Sequence, residues 1–272
     1  MTDPYTSLSQ ALIDASGRLH APAPHARIVS LVPSITELLC ELGLASQLVG
    51  RTGFCIHPRD TVASIPKVGG TKDVNLDKIR RLAPTHVIVN IDENEKPTAD
   101  LLAEFVPHVV VTHPLTPLDN LALARLMGAI FGVGAAAERW CGAFEHELAA
   151  LRSLPAGPAR TVLYCIWQDP WMSVSGATYI AAMLAELGWG VPDLGAARYP
   201  VFSWNEQLVD GLDAVLLSTE PYRFTGAHVD ALEKQIGIPV LLVDGEMMSW
   251  YGSRALAGVR YLRELRSLLE GS

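Results

Sequence analysis

The sequence predicts an α/β protein of two similar lobes with parallel sheets, joined by one long helix. Three observations carry this. First, Gly134 to Leu154 (GAAAERWCGAFEHELAALRSL) places Trp140, Phe144, Leu148 and Leu151 at steps of four, four and three, with no proline before Pro155. That spacing puts them on one helical face. At roughly 1.5 Å per residue, about twenty residues span roughly 30 Å, the width of a small domain. Second, strand-like and helix-like segments alternate on both sides of this stretch, as expected of parallel sheets covered by helices. Third, the two sides resemble each other: ITELLCELGL from Ile35 aligns with IAAMLAELGW from Ile180, and the helix-then-strand units that follow also correspond. The competing reading is an ordinary surface helix in a single domain. The division expected is a leader over 1–25, an N-terminal lobe over 26–117, a linker with the backbone helix over 118–157, and a C-terminal lobe over 158–272.

The bulk numbers narrow the function. With 49% apolar and 18% charged residues among 272, the chain can build a sizeable core and is not a disordered sequence. A formal net charge of −8 and the lack of a Lys/Arg run argue against nucleic-acid binding. Cys40, Cys55, Cys141 and Cys165 form no CxxC pair, so a structural zinc site is not expected. No apolar run of about twenty residues would span a membrane. The first 25 residues lack the basic and apolar regions of an export signal, so the chain as written reads as cytoplasmic, and as periplasmic if its true start lies upstream.

Taken in order, a short helix is expected at Ser7–Ser16, followed by an Ala-Pro-Ala-Pro spacer. Arg27–Leu31 reads as the first strand. Ser34 and Glu37 fit an S-x-x-E capping box opening the helix Ile35–Leu42, which stops at Gly43. Leu48–Gly50 is a short strand leading into RTGFCIHP. Gly69-Gly70 lacks both phosphate-loop patterns. Leu76–Leu82 is a helix and His86–Asn90 a strand. Asp92, Glu93 and Glu95 read as caps of the helix Thr98–Phe105. His108–Thr112 is a strand, and the helix Leu118–Phe131 runs into the long one. Beyond Pro155 come the strand Arg160–Ile166, the loop WQDPWMSVSG and the helix Tyr179–Leu187. Asn205–Ser218 and Val229–Asp244 are each helix then strand.

In parallel sheets ligands bind beyond the carboxyl ends of the strands. The clusters that follow strands are Pro33-Ser34, Phe54–His57, Asn90–Glu95, Trp167–Ser175, Glu220–Phe224 and Asp244–Arg254. Loop aromatics such as Trp167, Trp171, Tyr199, Trp204, Trp250 and Tyr251 suit a ligand wall, giving large rigid contact at low entropy cost. Trp140 and Trp189 read as packing. Asp244 or Glu246 could act as a general base beside Arg254, but no assembled nucleophile, histidine and acid set accompanies them, and G-x-S-x-G and H-E-x-x-H are absent. Cys55 and His57 could hold a bare transition metal with a partner such as Glu246; the plainer reading is a loop thiol and a turn histidine. His108 and His113 flank a strand.

RIVSLVPSITELLCELGL, VGRTGFCIHP, KVGGTKDVNLDKIRRLAPTHVIVN and WMSVSGATYIAAMLAELG together resemble the helical-backbone (class III) substrate-binding proteins of ABC importers for cobalamin, iron-siderophores and haem. The resemblance is nearest to the cobalamin-binding, or helical backbone metal receptor, branch and runs from Arg27 to the C-terminus. It implies two Rossmann-like lobes on one helix, with a metal chelate, most simply a corrinoid such as cobalamin, held non-catalytically between them. It also implies that no cofactor is required and that the chain is a monomer, serving either an importer permease or, as a cytoplasmic relative, the handling of the chelate inside the cell. By position, aromatic contacts fall near Phe54, Tyr199 and Trp250, and the two permease-docking glutamates fall at Glu95 and Glu206. Pro33, Ser34, Cys55, Trp167, Trp171, Trp204, Glu246, Tyr251 and Arg254 complete the expected ligand set. Gly69-Gly70 and Asn90 stand where the family can carry aromatics, so the first-lobe wall is expected to be less aromatic. The alternatives are a bare-metal, siderophore or haem binder and, on the same scaffold, an enzyme.

Overall fold

A computed structural model describes residues 12–270. The chain divides into two compact units. The first takes the chain through Pro114, then Leu118–Phe144 and Tyr251–Ser253; the second takes Leu115–Pro117, Glu145–Trp250 and the chain from Arg254 on.

In the first unit, β1 (Ile28–Ser30), α1 (Pro33–Glu41), β2 (Leu48–Arg51), α2 (Arg59–Val62), α3 (Leu76–Leu82), β3 (His86–Asn90), α4 (Lys96–Ala103) and β4 (His108–Thr112) precede α5 (Asp119–Phe131). The strands form one parallel sheet in the order β2-β1-β3-β4. β3 is buried at every residue, as a strand covered on both faces must be. Val29, Leu31, Ile79, Val87, Leu102 and Val109 form its core with their neighbours.

Next comes α6 (Gly134–Arg152), separated from α5 by left-handed Gly132 at φ 75°. Trp140, Phe144, Leu148 and Leu151 are all buried, and the Trp140 and Phe144 rings stack at 5.3 Å. The expected face is therefore the face the helix buries. The division between the units falls inside α6, after Phe144.

The second unit holds β5 (Arg160–Trp167), β6 (Met172–Ser173), α7 (Tyr179–Ala185), β7 (Trp189–Gly190), α8 (Glu206–Asp210), β8 (Ala214–Ser218), α9 (Gly226–Ile236), β9 (Val240–Val243), α10 (Gly245–Ser249) and α11 (Ser253–Glu270). β5, β8 and β9 pair in parallel, with β7 also parallel to β5 and β6 antiparallel to it. The path β7-β5-β8-β9 repeats β2-β1-β3-β4 of the first unit, which is the topological form of the internal resemblance. α11 was not singled out from the sequence. Its apolar face, Ala255, Val259, Leu262, Leu265 and Leu269, is buried, while the arginines between these positions mask the stripe. Arg260 and Arg263 both pair with Glu147. No described helix is long and apolar enough to cross a membrane.

Three local expectations are corrected. The Ser34–Glu37 capping box does not form: Val32 occupies the N-cap of α1, Pro33 follows it, and no side chain caps. Ser34 instead lies buried in the first turn. The acids before α4 do not cap it either; the helix starts at Lys96, and Glu95 makes no capping bond. The helix expected at Ser7–Ser16 lies partly outside the described residues. From Leu12 onward the backbone is not helical, and Ile13 bridges Leu19 in a tight antiparallel turn.

That turn is tied to β4. Ala15 N–H donates to Val111 O at 2.9 Å, and Val111 N–H donates to Asp14 Oδ2 at 3.0 Å. Asp14 Oδ2 also meets His20 Nε2 at 2.9 Å, with both side chains fully buried. Burial alone would raise the Asp14 pKa. Hydrogen bonds from His20, Ser16 and the backbone of Val111 and Arg18 outweigh it and hold the carboxyl well below the usual range. His86 and His108 stack beside this pair at 4.6 Å. Burial, then the neighbouring His108 and His20, push His86 down to about 4.

A histidine that binds its proton less readily in the folded state than in the unfolded chain withdraws stability as pH falls. The loss begins near the unfolded value of about 6.5 and is complete near the folded value. Over that window His86 accounts for about 3 kcal/mol at about 1.4 kcal/mol per unit. Denaturant unfolding of the wild type should show falling stability between pH 6.5 and 4, and His86→Leu should flatten that slope.

Candidate functional site

In the first unit the loops beyond β1, β2 and β3 carry the expected residues. Phe54 is 62% exposed. Its ring lies beside Gly70, where an added Cβ would touch Phe54 Cε2 at 3.4 Å. Gly69, at φ 113°, has no room for a side chain, since a Cβ there would meet Asp73 O at 2.3 Å. Gly70 thus lies against Phe54, while Gly69 makes the tight turn onto Asp73–Asn75. Cys55 is fully buried. Thr36 Oγ1 lies 3.0 Å and Thr52 Oγ1 3.1 Å from its Sγ, and burial pushes the thiol pKa up against the pull of those hydroxyls. A buried, protonated thiol with hydroxyl partners behaves as a small core group. His57 is partly exposed. Among the described residues there is no group of three or more His, Cys, Asp or Glu able to hold a metal ion.

Tyr251 packs in this unit beside Ser34. Its buried hydroxyl donates to Glu93 Oε1; burial and the facing Glu93 carboxylate raise the phenol well above its ordinary value and keep it a donor. Asn120 Oδ1 accepts from Gly252 N–H at 2.6 Å. Glu93, read as a cap from the sequence, is instead the partner of Tyr251, and Asp92 lies 3.5 Å from His113. Pro33 is partly buried and Glu95 is exposed.

In the second unit the loop aromatics separate into two groups. Trp171 stacks on buried Phe224 at 5.8 Å and meets Trp204 edge-on at 5.4 Å, while Phe202 meets Trp204 edge-on at 5.2 Å. Trp171 and Trp204 pack against the core of Leu163, Val215, Leu217 and their neighbours. They extend the core up to the strand ends. Trp167 is 40% exposed and Tyr199 37% exposed, so these two rings are the more accessible.

The densest polar geometry lies beyond β8 and β9. Asp244 is the N-cap of α10, accepting from Glu246 N–H and Met247 N–H, so its carboxylate is occupied as a cap and not placed as a general base. Glu246 pairs with Arg254, and the Arg254 guanidinium sits 4.8 Å from the centre of the Trp250 ring. Trp250 Nε1–H donates to Glu220 Oε1 at 2.7 Å, and Ser249 Oγ donates to the same oxygen at 3.0 Å. Beneath, buried Tyr164 OH donates to Ser218 Oγ at 3.0 Å, which bonds Glu220 O at 2.6 Å. Glu206 is exposed at the start of α8, where Asn205 is the cap. Sequence reasoning placed Trp250, Glu246 and Arg254 in one loop. Glu220, Gly245 and Ser249 fall within the post-strand clusters Glu220–Phe224 and Asp244–Arg254, but no residue pattern singles them out from their neighbours.

The periplasmic binding protein family model matches residues 28–207. The chain belongs to that family. It is 23% identical over 251 residues to the vitamin B12-binding protein of Pectobacterium carotovorum subsp. carotovorum (strain PC1), across 90% of each chain. Among solved structures, the periplasmic vitamin B12 binding protein BtuF of Vibrio cholerae matches with a TM-score of 0.74 at 17% identity, covering 91% of this chain and 99% of its own. The periplasmic heme-binding protein RhuT of Roseiflexus sp. RS-1, in apo form, matches at 0.69 and 24% identity, covering 87% and 95%. These structural likenesses establish a shared fold: two parallel-sheet lobes with the long helix in the chain between them. The family is one of periplasmic binding proteins, and both structural neighbours are periplasmic binding proteins.

Gly245 lets α10 approach β8: a Cβ there would lie 2.5 Å from both Glu220 Cγ and Ser218 Oγ. Gly245→Ala should displace Glu220 and, with it, Trp250, and lower stability by about 1–3 kcal/mol as for other overpacked sites. Thermal unfolding and the Trp emission spectrum together check this.

Proposed function

We propose that this member of the periplasmic binding protein family is the non-catalytic receptor of an ABC import system for a metal chelate, a corrinoid such as cobalamin first. Its ligand is taken by the loops beyond the carboxyl ends of the two sheets. The observation that carries this reading is the set of accessible rings at those ends: Phe54 in the first unit, and Trp167, Tyr199 and half-buried Trp250 in the second. Large, mostly uncharged chelates bind by covering such rings, with few fixed polar contacts for orientation. The vitamin B12-binding relative supports the corrinoid, and the heme-binding neighbour keeps haem as the second reading. Bare-metal binding through Cys55 is less favoured, because the thiol is buried and engaged by Thr36 and Thr52. The role places the protein in the periplasm, acting as a monomer.

Titration with cyanocobalamin, cobinamide, haemin and a ferric siderophore, followed by Trp emission and by calorimetry, tests the ligand class. Saturable one-to-one binding of a corrinoid is expected; no heat with any of the four would overturn the reading. Exposed Glu95 and Glu206 each stand at a helix start, free of capping duty, and we assign them to docking on basic residues of the permease. Charge reversal of both to Lys should leave ligand affinity unchanged and abolish uptake by cells that depend on the protein.

A further inference from the structure

Trp250 is held from two directions. Its indole edge donates to Glu220 at 2.7 Å, and one face lies under the Arg254 guanidinium, itself paired with Glu246. Glu220 is in turn fixed by Ser249 at 3.0 Å and by the bond from Ser218 Oγ to its backbone oxygen. Gly245 supplies the space that its side chain occupies. We propose that Glu220 is a positioning residue that sets the plane in which Trp250 presents its indole to the ligand. This rests on Trp250 lining the ligand site, as proposed above.

The electrostatics agree with such a role. The charged groups facing Glu220 are Asp244 and Glu246 from the start of α10, with Arg254 beyond the indole; from β5 the neutral Tyr164 hydroxyl reaches it through Ser218. Burial raises the Glu220 pKa. The bonds from Ser249 and Trp250 offset part of this, and the Glu246 and Asp244 carboxylates add to it. A carboxyl whose ionisation is harder in the folded protein than in the unfolded chain costs stability at neutral pH, and that cost disappears as the pH falls and the group takes up a proton. The fold therefore carries this charge against its own preference, as groups serving a site often do. As the pH falls through the Glu220 titration, the charge-assisted bond to the indole weakens. Grip on the ligand and the stability contribution of Glu220 then move in opposite directions.

The indole N–H signals of the six tryptophans in a 1H–15N spectrum provide the test, with that of Trp250 identified by its loss in Trp250→Phe. On acidification from pH 7.5 the Trp250 signal should shift in the wild type and stay fixed in Glu220→Gln. Affinity for cyanocobalamin should fall about tenfold in Glu220→Ala. It should be partly recovered in Glu220→Gln, whose amide oxygen still accepts, and in that variant lose the acid dependence seen in the wild type. Wild-type affinity in Glu220→Ala, or a Trp250 signal that titrates unchanged in Glu220→Gln, would overturn the proposal. The spectrum needs no ligand, so a protein that binds none of the chelates defeats the receptor reading, while the indole signal still decides whether Glu220 holds Trp250.

Discussion

Parallel pairing is the constraint from which the rest of this molecule follows. Within each unit β1, β2, β3 and β4, or β5, β7, β8 and β9, point the same way, so every connection must travel back across the sheet, and helices do this with their backbone polar groups satisfied. The carboxyl ends of the strands are thereby gathered at one end of each sheet, and the loops leaving them become neighbours although they are far apart in sequence. In this way Asn94, beyond β3, reaches Leu31 O beyond β1 on the first unit, and Trp250, beyond β9, reaches Glu220 beyond β8 on the second. Buried strands need apolar residues on both faces; β3 and β8 are buried throughout.

Above that frame, small polar devices set individual side chains. Asp244 caps α10 and so orients Glu246 toward Arg254. Asn94 holds the chain beyond β3 by accepting from Asn90 N–H and donating to Leu31 O and Thr71 O. Glu93 receives the Tyr251 hydroxyl. Each is a hydrogen bond from a loop to a strand end or helix start, and buried or charged bonds of this kind are costly to leave unmade. They turn loops that would otherwise sample many shapes into fixed supports for the exposed rings.

Much of this was legible in the sequence. The edges of α3, β3 and β4 fall where periodicity puts them, because each is bounded by a proline, a turn or an abrupt change of polarity. The buried face of α6 is the one its spacing gives. What the sequence withheld depends on distant partners. The S-x-x-E pattern at Ser34 was outcompeted by Pro33, which starts the helix two residues earlier. Trp171 and Trp204 read as loop rings of a ligand wall; that they also pack, half-buried, against a core containing Phe224, some fifty residues from Trp171 and twenty from Trp204, has no local signal. Glu220 carries no local pattern, since its role arises from a tryptophan thirty residues later. α11 was hidden because its arginines dilute the apolar stripe, and the partner that Arg260 and Arg263 share, Glu147, lies more than a hundred positions away.

The turn at Asp14 and Ala15 has one more effect. β4 is the last strand of its sheet, and a last strand offers free amides and carbonyls on which a strand from another molecule can assemble. Here the Val111 amide and carbonyl are already taken by the turn. Growth of the sheet into polymers is stopped at that residue by the molecule's own chain, at the opposite edge from β2.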